Sequence, residues 1–118
     1  MATVLVTGAN RGIGLEFVKH YLDRGDQVIG TYRDTVSSDK LIQMDEVYDS
    51  LKTLTLDVSS DESLKYFSDQ LGDIPIDIFI NNAGVYGPRN STFNNVDEKN
   101  WIPVLRINAI APLILTQL

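Results

Sequence analysis

Three glycines crowd the junction between a strand-like run and a helix-like one, and no other stretch of the chain restricts its fold as much. The stretch reads Thr7-Gly8-Ala9-Asn10-Arg11-Gly12-Ile13-Gly14. Before it lies the apolar, β-branched run Thr3-Val4-Leu5-Val6, a buried strand. After it Ile13, Phe17 and Tyr21 recur at helical spacing. Glycine has no Cβ, so the backbone can turn sharply there and a ligand's phosphates can approach it closely. The following helix offers unpaired N–H groups and the positive end of its dipole. These features describe a pocket for a pyrophosphate. The alternative is an ordinary strand-to-helix turn whose glycines serve packing. Gly8-x-x-x-Gly12-x-Gly14 also departs from the common G-x-G-x-x-G spacing.

The rest of the chain repeats the strand–helix alternation. Strand one covers about 3–7, and helix one runs from about Ile13 to Arg24, ended by Gly25. Gln27–Tyr32 reads as strand two, with Arg33 and Asp34 at its carboxyl end. The polar stretch Thr35–Asp39 leads into a short helix over about Asp39–Tyr48. Leu51–Leu56 alternates like a strand and ends at Asp57-Val58. Ser59 and Glu62 have capping-box spacing, and Leu64, Phe67 and Leu71 mark the helical face that follows, up to Gly72. Ile76–Ile80 is strand four, with Ile76, Ile78 and Ile80 on one face and Phe79 on the other. A polar loop with a turn at Gly87-Pro88 leads to a last helix carrying Trp101, Leu105, Asn108, Pro112 and Leu115. Pro103 suits its first turn, and Pro112 bends it. This order predicts an α/β fold: a Rossmann-type, doubly wound parallel sheet of about four strands, ordered 3-2-1-4, with helices on both faces.

A formal net charge of −6, spread along the chain, argues against a nucleic-acid surface, which needs a basic stripe. Without cysteine, thiolate chemistry and cysteine metal sites drop out. His20 is the sole histidine and has no second ligand in view, so it reads as a packing or surface residue and no metal site is expected. No apolar stretch is long enough to span a bilayer, and the N-terminal apolar run, broken by Gly8, is too short for a signal peptide. The expectation is a cytoplasmic protein.

At Asn81-Asn82-Ala83-Gly84 the separate signals converge. With Thr7-Gly8-x-x-x-Gly12-Ile13-Gly14 upstream and Asn108 downstream, the chain resembles the short-chain dehydrogenase/reductase family, and within it the small carbonyl-reductase-like or C-factor-like members. The resemblance covers the whole chain but about the first half of a family member. It implies an oxidoreductase that moves hydride between a nicotinamide cofactor and a carbonyl or alcohol substrate. Gly8, Gly12 and Gly14 would then shape the cofactor loop, with Asn10, Arg11 and Ile13 touching the adenosine-phosphate half. Asp57 and Val58 would flank the adenine ring. Asn82, Ala83 and Gly84 would lie along the ribose. Asn108 would belong to the catalytic set, helping to hold a water-mediated proton relay. Bland alternatives stand beside two of these: Asn108 as a buried asparagine satisfying helix backbone, and Asp57 as a helix N-terminal acid.

Cofactor choice follows from strand two. An acid at its end would accept hydrogen bonds from a ribose 2′-hydroxyl and repel a 2′-phosphate. This chain has uncharged Tyr32 there, then Arg33, with Arg11 in the glycine loop. Two guanidiniums suit a 2′-phosphate, so NADP is expected. The alternative is NAD, with Arg33 solvated and Asp34 on the ribose.

The family's chemistry also needs a serine and a Tyr-x-x-x-Lys pair, which lie beyond the matching segment. Tyr48 and Lys52 have the spacing but precede strand three, far in topology from the nicotinamide pocket, so they read as a chance match. Residues 1–118 are thus expected to be an incomplete cofactor-binding domain, inactive alone and either half of a reductase or a non-catalytic nucleotide-binding or interaction module. An open edge on strand four and the apolar final helix suggest self-association, with a homo-oligomer as the expected state.

Overall fold

Side chains alternate across a strand, and in this chain the alternation divides two cores. The computed structural model describes residues 1–34, 38–85, 92–94 and 96–117. Its elements are β1 (Thr3–Val6), α1 (Gly12–Asp23), β2 (Gln27–Tyr32), α2 (Asp39–Val47), β3 (Leu51–Thr55), α3 (Asp61–Leu71), β4 (Ile78–Ile80), α4 (Glu98–Leu105), a π-turn (Arg106–Ile110) and α5 (Ala111–Gln117). The sheet is parallel and ordered β3-β2-β1-β4, as expected. Val4 of β1 lies opposite both Val28 and Ile78.

Val4, Val6 and Val28 face Leu15, Val18 and Leu22 of α1 and Leu41 of α2. Leu5 and Ile29 face Leu64 and Phe67 of α3 and Ala111 and Leu115 of α5. Strands covered on both sides read as near-continuous apolar runs, which is how β1 and β2 appear in the chain.

Several boundaries differ from expectation for identifiable reasons. The buried stripe of α1 is Leu15, Val18 and Leu22; Ile13 is exposed, and Phe17 and Tyr21 are half-buried. The two stripes are neighbours on one helix, and the contact of Gly14 with the glycine loop selects the first. At its far end α1 closes in a Schellman motif: Asp26 N–H reaches the Tyr21 carbonyl at 3.0 Å and Gly25 N–H the Leu22 carbonyl at 3.0 Å. Gly25, at φ +86°, supplies the left-handed residue this requires.

Helix α3 is capped by Ser60, whose hydroxyl accepts from Ser63 N–H, instead of by Ser59. Ser59 is taken up by the Asp57 carboxylate, which accepts from both its N–H and its hydroxyl. β4 is three residues long, so Ile76 lies outside it and packs in the same core as Phe79, away from Ile78 and Ile80. Pro103 falls inside α4, not in its first turn, and the bend expected at Pro112 is a π-turn ending just before it. The expected turn at Gly87-Pro88 and Thr35 of the polar stretch lie outside the described residues. No helix among the described residues is long and apolar enough to cross a membrane.

Phe67 is 2% exposed, at the centre of the second core. Phe67→Ala is expected to cost about 3–5 kcal/mol in urea denaturation, whereas Tyr66→Ala, at the exposed neighbouring position, costs under about 0.5 kcal/mol.

Candidate functional site

All four strands run the same way, so their carboxyl ends share one edge of the sheet. Backbone bonds continue just past them: Thr7 N–H to Ile80 O at 3.1 Å, Ala9 N–H to Thr31 O at 2.8 Å, and Leu56 N–H to Tyr32 O at 2.8 Å. These align Asp57, Arg33, the glycine loop and Asn82 along an edge roughly 14 Å long, three interstrand spacings of ~4.8 Å. Open parallel sheets bind ligands at this end, where the strand order reverses. The reversal here falls between β1 and β4.

Thr7 is fully buried, and its hydroxyl accepts the N–H groups of Asn82 and Ala83, each at 3.0 Å. The Asn82 side-chain amide donates to the Gly8 carbonyl at 3.1 Å. Thr31, also buried, accepts Gly8 N–H at 3.3 Å. The first turn of the loop is thus tied to β2 on one side and to the end of β4 on the other.

A Cβ on Gly14 would lie 2.1 Å from the Gly8 carbonyl oxygen and 2.7 Å from the Asn82 amide nitrogen, so no side chain fits there. Gly8 and Gly12 take φ of +62° and +57°. A Cβ on Gly12 would meet nothing within 4 Å, so the loop is open on that side.

The start of α1 has no side-chain cap. Arg11 occupies the N-cap position and its side chain carries no acceptor. The N–H groups of Gly12, Ile13 and Gly14 precede the first intrahelical bond, Leu15 N–H to Arg11 O at 3.2 Å. An anion fits this combination: unused donors, a helix N-terminus, and open space beside Gly12. Exposed Ile13 offers an apolar wall, and Asn10 is half-buried in the same loop.

At the other end of the edge, Asn81, Asn82, Ala83, Gly84, Val85, Asn108 and Pro112 line a cleft of about 400 Å³. Asn108 lies in the π-turn. Its Oδ1 accepts Val85 N–H at 2.8 Å, and its Nδ2 donates to Val85 O at 2.7 Å. A Cβ on Gly84 would lie 3.0 Å from that Oδ1, a tight contact from which the Asn108 amide would have to ease by a few tenths of an ångström. Asn81 Nδ2 donates to the Pro112 carbonyl at 3.2 Å.

A family model for short chain dehydrogenases matches residues 2–118. The chain belongs to the short-chain dehydrogenase family. It is 33% identical over 117 residues to 2-dehydro-3-deoxy-D-gluconate 5-dehydrogenase of Bacillus subtilis, covering 98% of this chain and 45% of that protein. The NADPH-bound carbonyl reductase from chicken fatty liver superposes with a TM-score of 0.87 at 35% identity, over 99% of this chain and 49% of that one. A carbonyl reductase from Pseudomonas aeruginosa in complex with NADP gives 0.87 at 33% identity, over 99% and 54%. The chain spans about half the length of these relatives.

In this short-chain dehydrogenase ten of the thirteen expected site residues come together in two groups, and Arg33, Asp57 and Val58 stand apart from both. Gly8, Asn10, Arg11, Gly12, Ile13 and Gly14 form one loop, and Asn82, Ala83, Gly84 and Asn108 meet around the cleft. Asn82 joins the two through Gly8. Arg33 is exposed and pairs with Asp34, its Nε 3.6 Å from the carboxylate, a surface pair of small worth. The Asp57 N–H donates to Ser63 Oγ at 2.8 Å, while Oδ1 of its carboxylate holds Ser59. Val58 is 8% exposed, its side chain mostly committed to the second core.

Asn108 is exposed and bonds loop backbone, so it is not the buried, helix-satisfying asparagine of the bland reading. Tyr48 closes α2 and Lys52 sits near the start of β3, at the amino edge of the sheet opposite the glycine loop. The described residues hold no cluster suited to a metal.

The expected site set did not include the hydroxyls of Thr7 and Thr31. A small polar residue at the end of an otherwise apolar strand is the signal that marks both. Thr7→Val keeps the shape but leaves the Asn82 and Ala83 N–H groups without this acceptor. It is expected to lower stability by about 2 kcal/mol in urea denaturation, while Thr7→Ser, which keeps the oxygen, loses less than half of that.

Proposed function

We propose that this chain is the cofactor-binding half of an NADP-dependent short-chain dehydrogenase/reductase acting on a carbonyl or alcohol substrate. The uncapped start of α1, open beside Gly12, carries this reading. Gly12, Ile13 and Gly14 would receive the pyrophosphate on their N–H groups. Arg11 and Arg33 would hold the 2′-phosphate, with Tyr32 replacing the acid that would repel it. Arg33 can exchange its exposed Asp34 partner for a phosphate at little cost. Asp57 and Val58 would border the adenine, and Asn82, Ala83 and Gly84 the ribose beside the cleft. Relatives whose structures hold NADPH or NADP share this fold over 99% of the chain, which supports the same assignment.

Bound there, the nicotinamide would supply or accept the hydride. The chain's own residues bind and orient: the glycine loop fixes the phosphates, and the Asn108 clamp on Val85 shapes the floor of the cleft. Asn108 would assist the proton relay that accompanies hydride movement. The tyrosine–lysine pair that exchanges the proton is not supplied by Tyr48 and Lys52, so these 118 residues are proposed to be inactive alone. A non-catalytic nucleotide-binding or interaction module remains the second reading; the site geometry serves binding in either case.

Calorimetric titration is expected to show NADPH binding at least about tenfold more tightly than NADH, with most of that preference lost in Arg33→Ala, as befits charge-assisted bonds to a phosphate. Neither cofactor is consumed when a carbonyl substrate is added. Equal affinities, or tighter NADH, would overturn the NADP assignment, and Arg33-independent preference would remove Arg33 from it.

Self-association belongs to the same proposal. Among the described residues β4 pairs with β1 alone, leaving one backbone edge open. Ile102, Leu105, Ile110 and Leu113 are exposed along α4, the π-turn and α5, and α4 buries none of its residues. Light scattering over a micromolar dilution series is expected to show dimers or larger species that dissociate on dilution; a monodisperse monomer throughout contradicts it.

A further inference from the structure

The π-turn is an expensive element for a short helix, and its position suggests a cause. α4, the π-turn and α5 form one continuous helical segment: Leu105, Arg106 and Ala111 all keep right-handed helical angles. Within it Ala111 N–H reaches back five residues to Arg106 O. The next residue is Pro112. In an uninterrupted α-helix its nitrogen would have to donate to the Asn108 carbonyl. Proline has no N–H, and its ring collides with that carbonyl. Inserting one extra residue in the turn before it relieves the collision.

Proline alone does not explain the insertion. Pro103 sits inside α4, which is α-helical throughout Glu98–Leu105, with no insertion in the turn before it. What distinguishes Pro112 is that its would-be partner is the residue that clamps Val85. Asn108 bonds both polar backbone groups of Val85, at 2.8 and 2.7 Å, across 23 residues of chain. Pro112 lies on the same cleft, and its own carbonyl accepts from Asn81 Nδ2 at 3.2 Å and Thr116 Oγ1 at 2.8 Å. The loop after β4 is therefore pinned twice, by Asn108 within the π-turn and by Pro112 just beyond it.

We propose that Pro112 is a positioning residue: by forbidding the α-helical bond to Asn108 it holds the π-turn, and the π-turn turns the Asn108 amide onto Val85. With an N–H at position 112, the helix regains its α-register bond and Asn108 rotates off the loop. The role of this clamp at the nicotinamide end rests on the function proposed above, whereas the coupling of Pro112 to Asn108 does not.

Pro112→Ala in the 118-residue chain tests it, with amide hydrogen exchange read by NMR. Alanine is a better helix former, so the fold is expected to persist. The Val85 amide is expected to exchange about tenfold faster than in the parent, the loss of one hydrogen bond, and the new amide at position 112 is expected to be protected. Asn108→Ala produces the same acceleration at Val85, and adding Pro112→Ala to it produces no more, because both act through one contact. Pro103→Ala leaves Val85 unchanged. Unchanged Val85 exchange in Pro112→Ala, or full additivity with Asn108→Ala, overturns the proposal. NADPH titration of the parent chain separates the two claims: absent binding with these exchange results removes the cofactor reading and leaves the coupling intact.

Discussion

The contact of the Gly8 carbonyl with the first turn of α1 is the constraint on which the rest of this structure depends. The oxygen passes so close to Gly14 that a methyl group would lie 2.1 Å from it. Asn82 holds it from the other side at 3.1 Å. Because Gly14 is pinned, α1 presents Leu15, Val18 and Leu22 to the sheet and leaves Ile13 at the mouth of the loop. Because Asn82 is pinned, the end of β4 stays in register with the end of β1 across 74 residues of chain. One buried approach of backbone to backbone thus sets helix rotation, strand register and the opening beside Gly12.

The site is divided between elements of unequal rigidity. The glycine loop is tied by the buried hydroxyls of Thr7 and Thr31 to two paired strands. The cleft rests on a three-residue strand and on a helical segment that breaks register within itself. Donors proposed to receive phosphate must be pre-set to be useful, and the tied loop holds them so. The cleft is shaped instead by side-chain amides reaching across to loop backbone, Asn108 to Val85 and Asn81 to Pro112. Such bonds are each worth about 1 kcal/mol net, so this end yields to substitution more readily than the loop does.

Much of this was legible in the chain. Strand order, the bounds of β2 and the glycine loop followed from periodicity and punctuation, because both cores are built on the strand period of two and the helix period near 3.6. The family followed from the resemblance of the glycine loop, Asn81-Asn82-Ala83-Gly84 and Asn108 to its motifs. Other features depend on contacts that no local pattern encodes. Ser60 rather than Ser59 caps α3 because Asp57 captures Ser59. The Ile13, Phe17, Tyr21 stripe was as helical as the buried one, and only the Gly14 contact distinguishes them. Ile76 changed cores because β4 begins two residues later than its apolar run. Pro112 announced a bend, but a π-turn that aims Asn108 requires knowing that Val85 lies opposite.

The central claim is that the glycine loop and the Arg33 strand end receive the two ends of a phosphorylated dinucleotide. Titrating the isotope-labelled chain with NADPH and following backbone amide shifts tests it most directly. The amides of Gly12, Ile13, Gly14 and Arg33 are expected to shift together along one saturating curve, and NADH to move the glycine amides but not Arg33. Saturable shifts confined to other surfaces, or none at the three loop amides, would contradict the account.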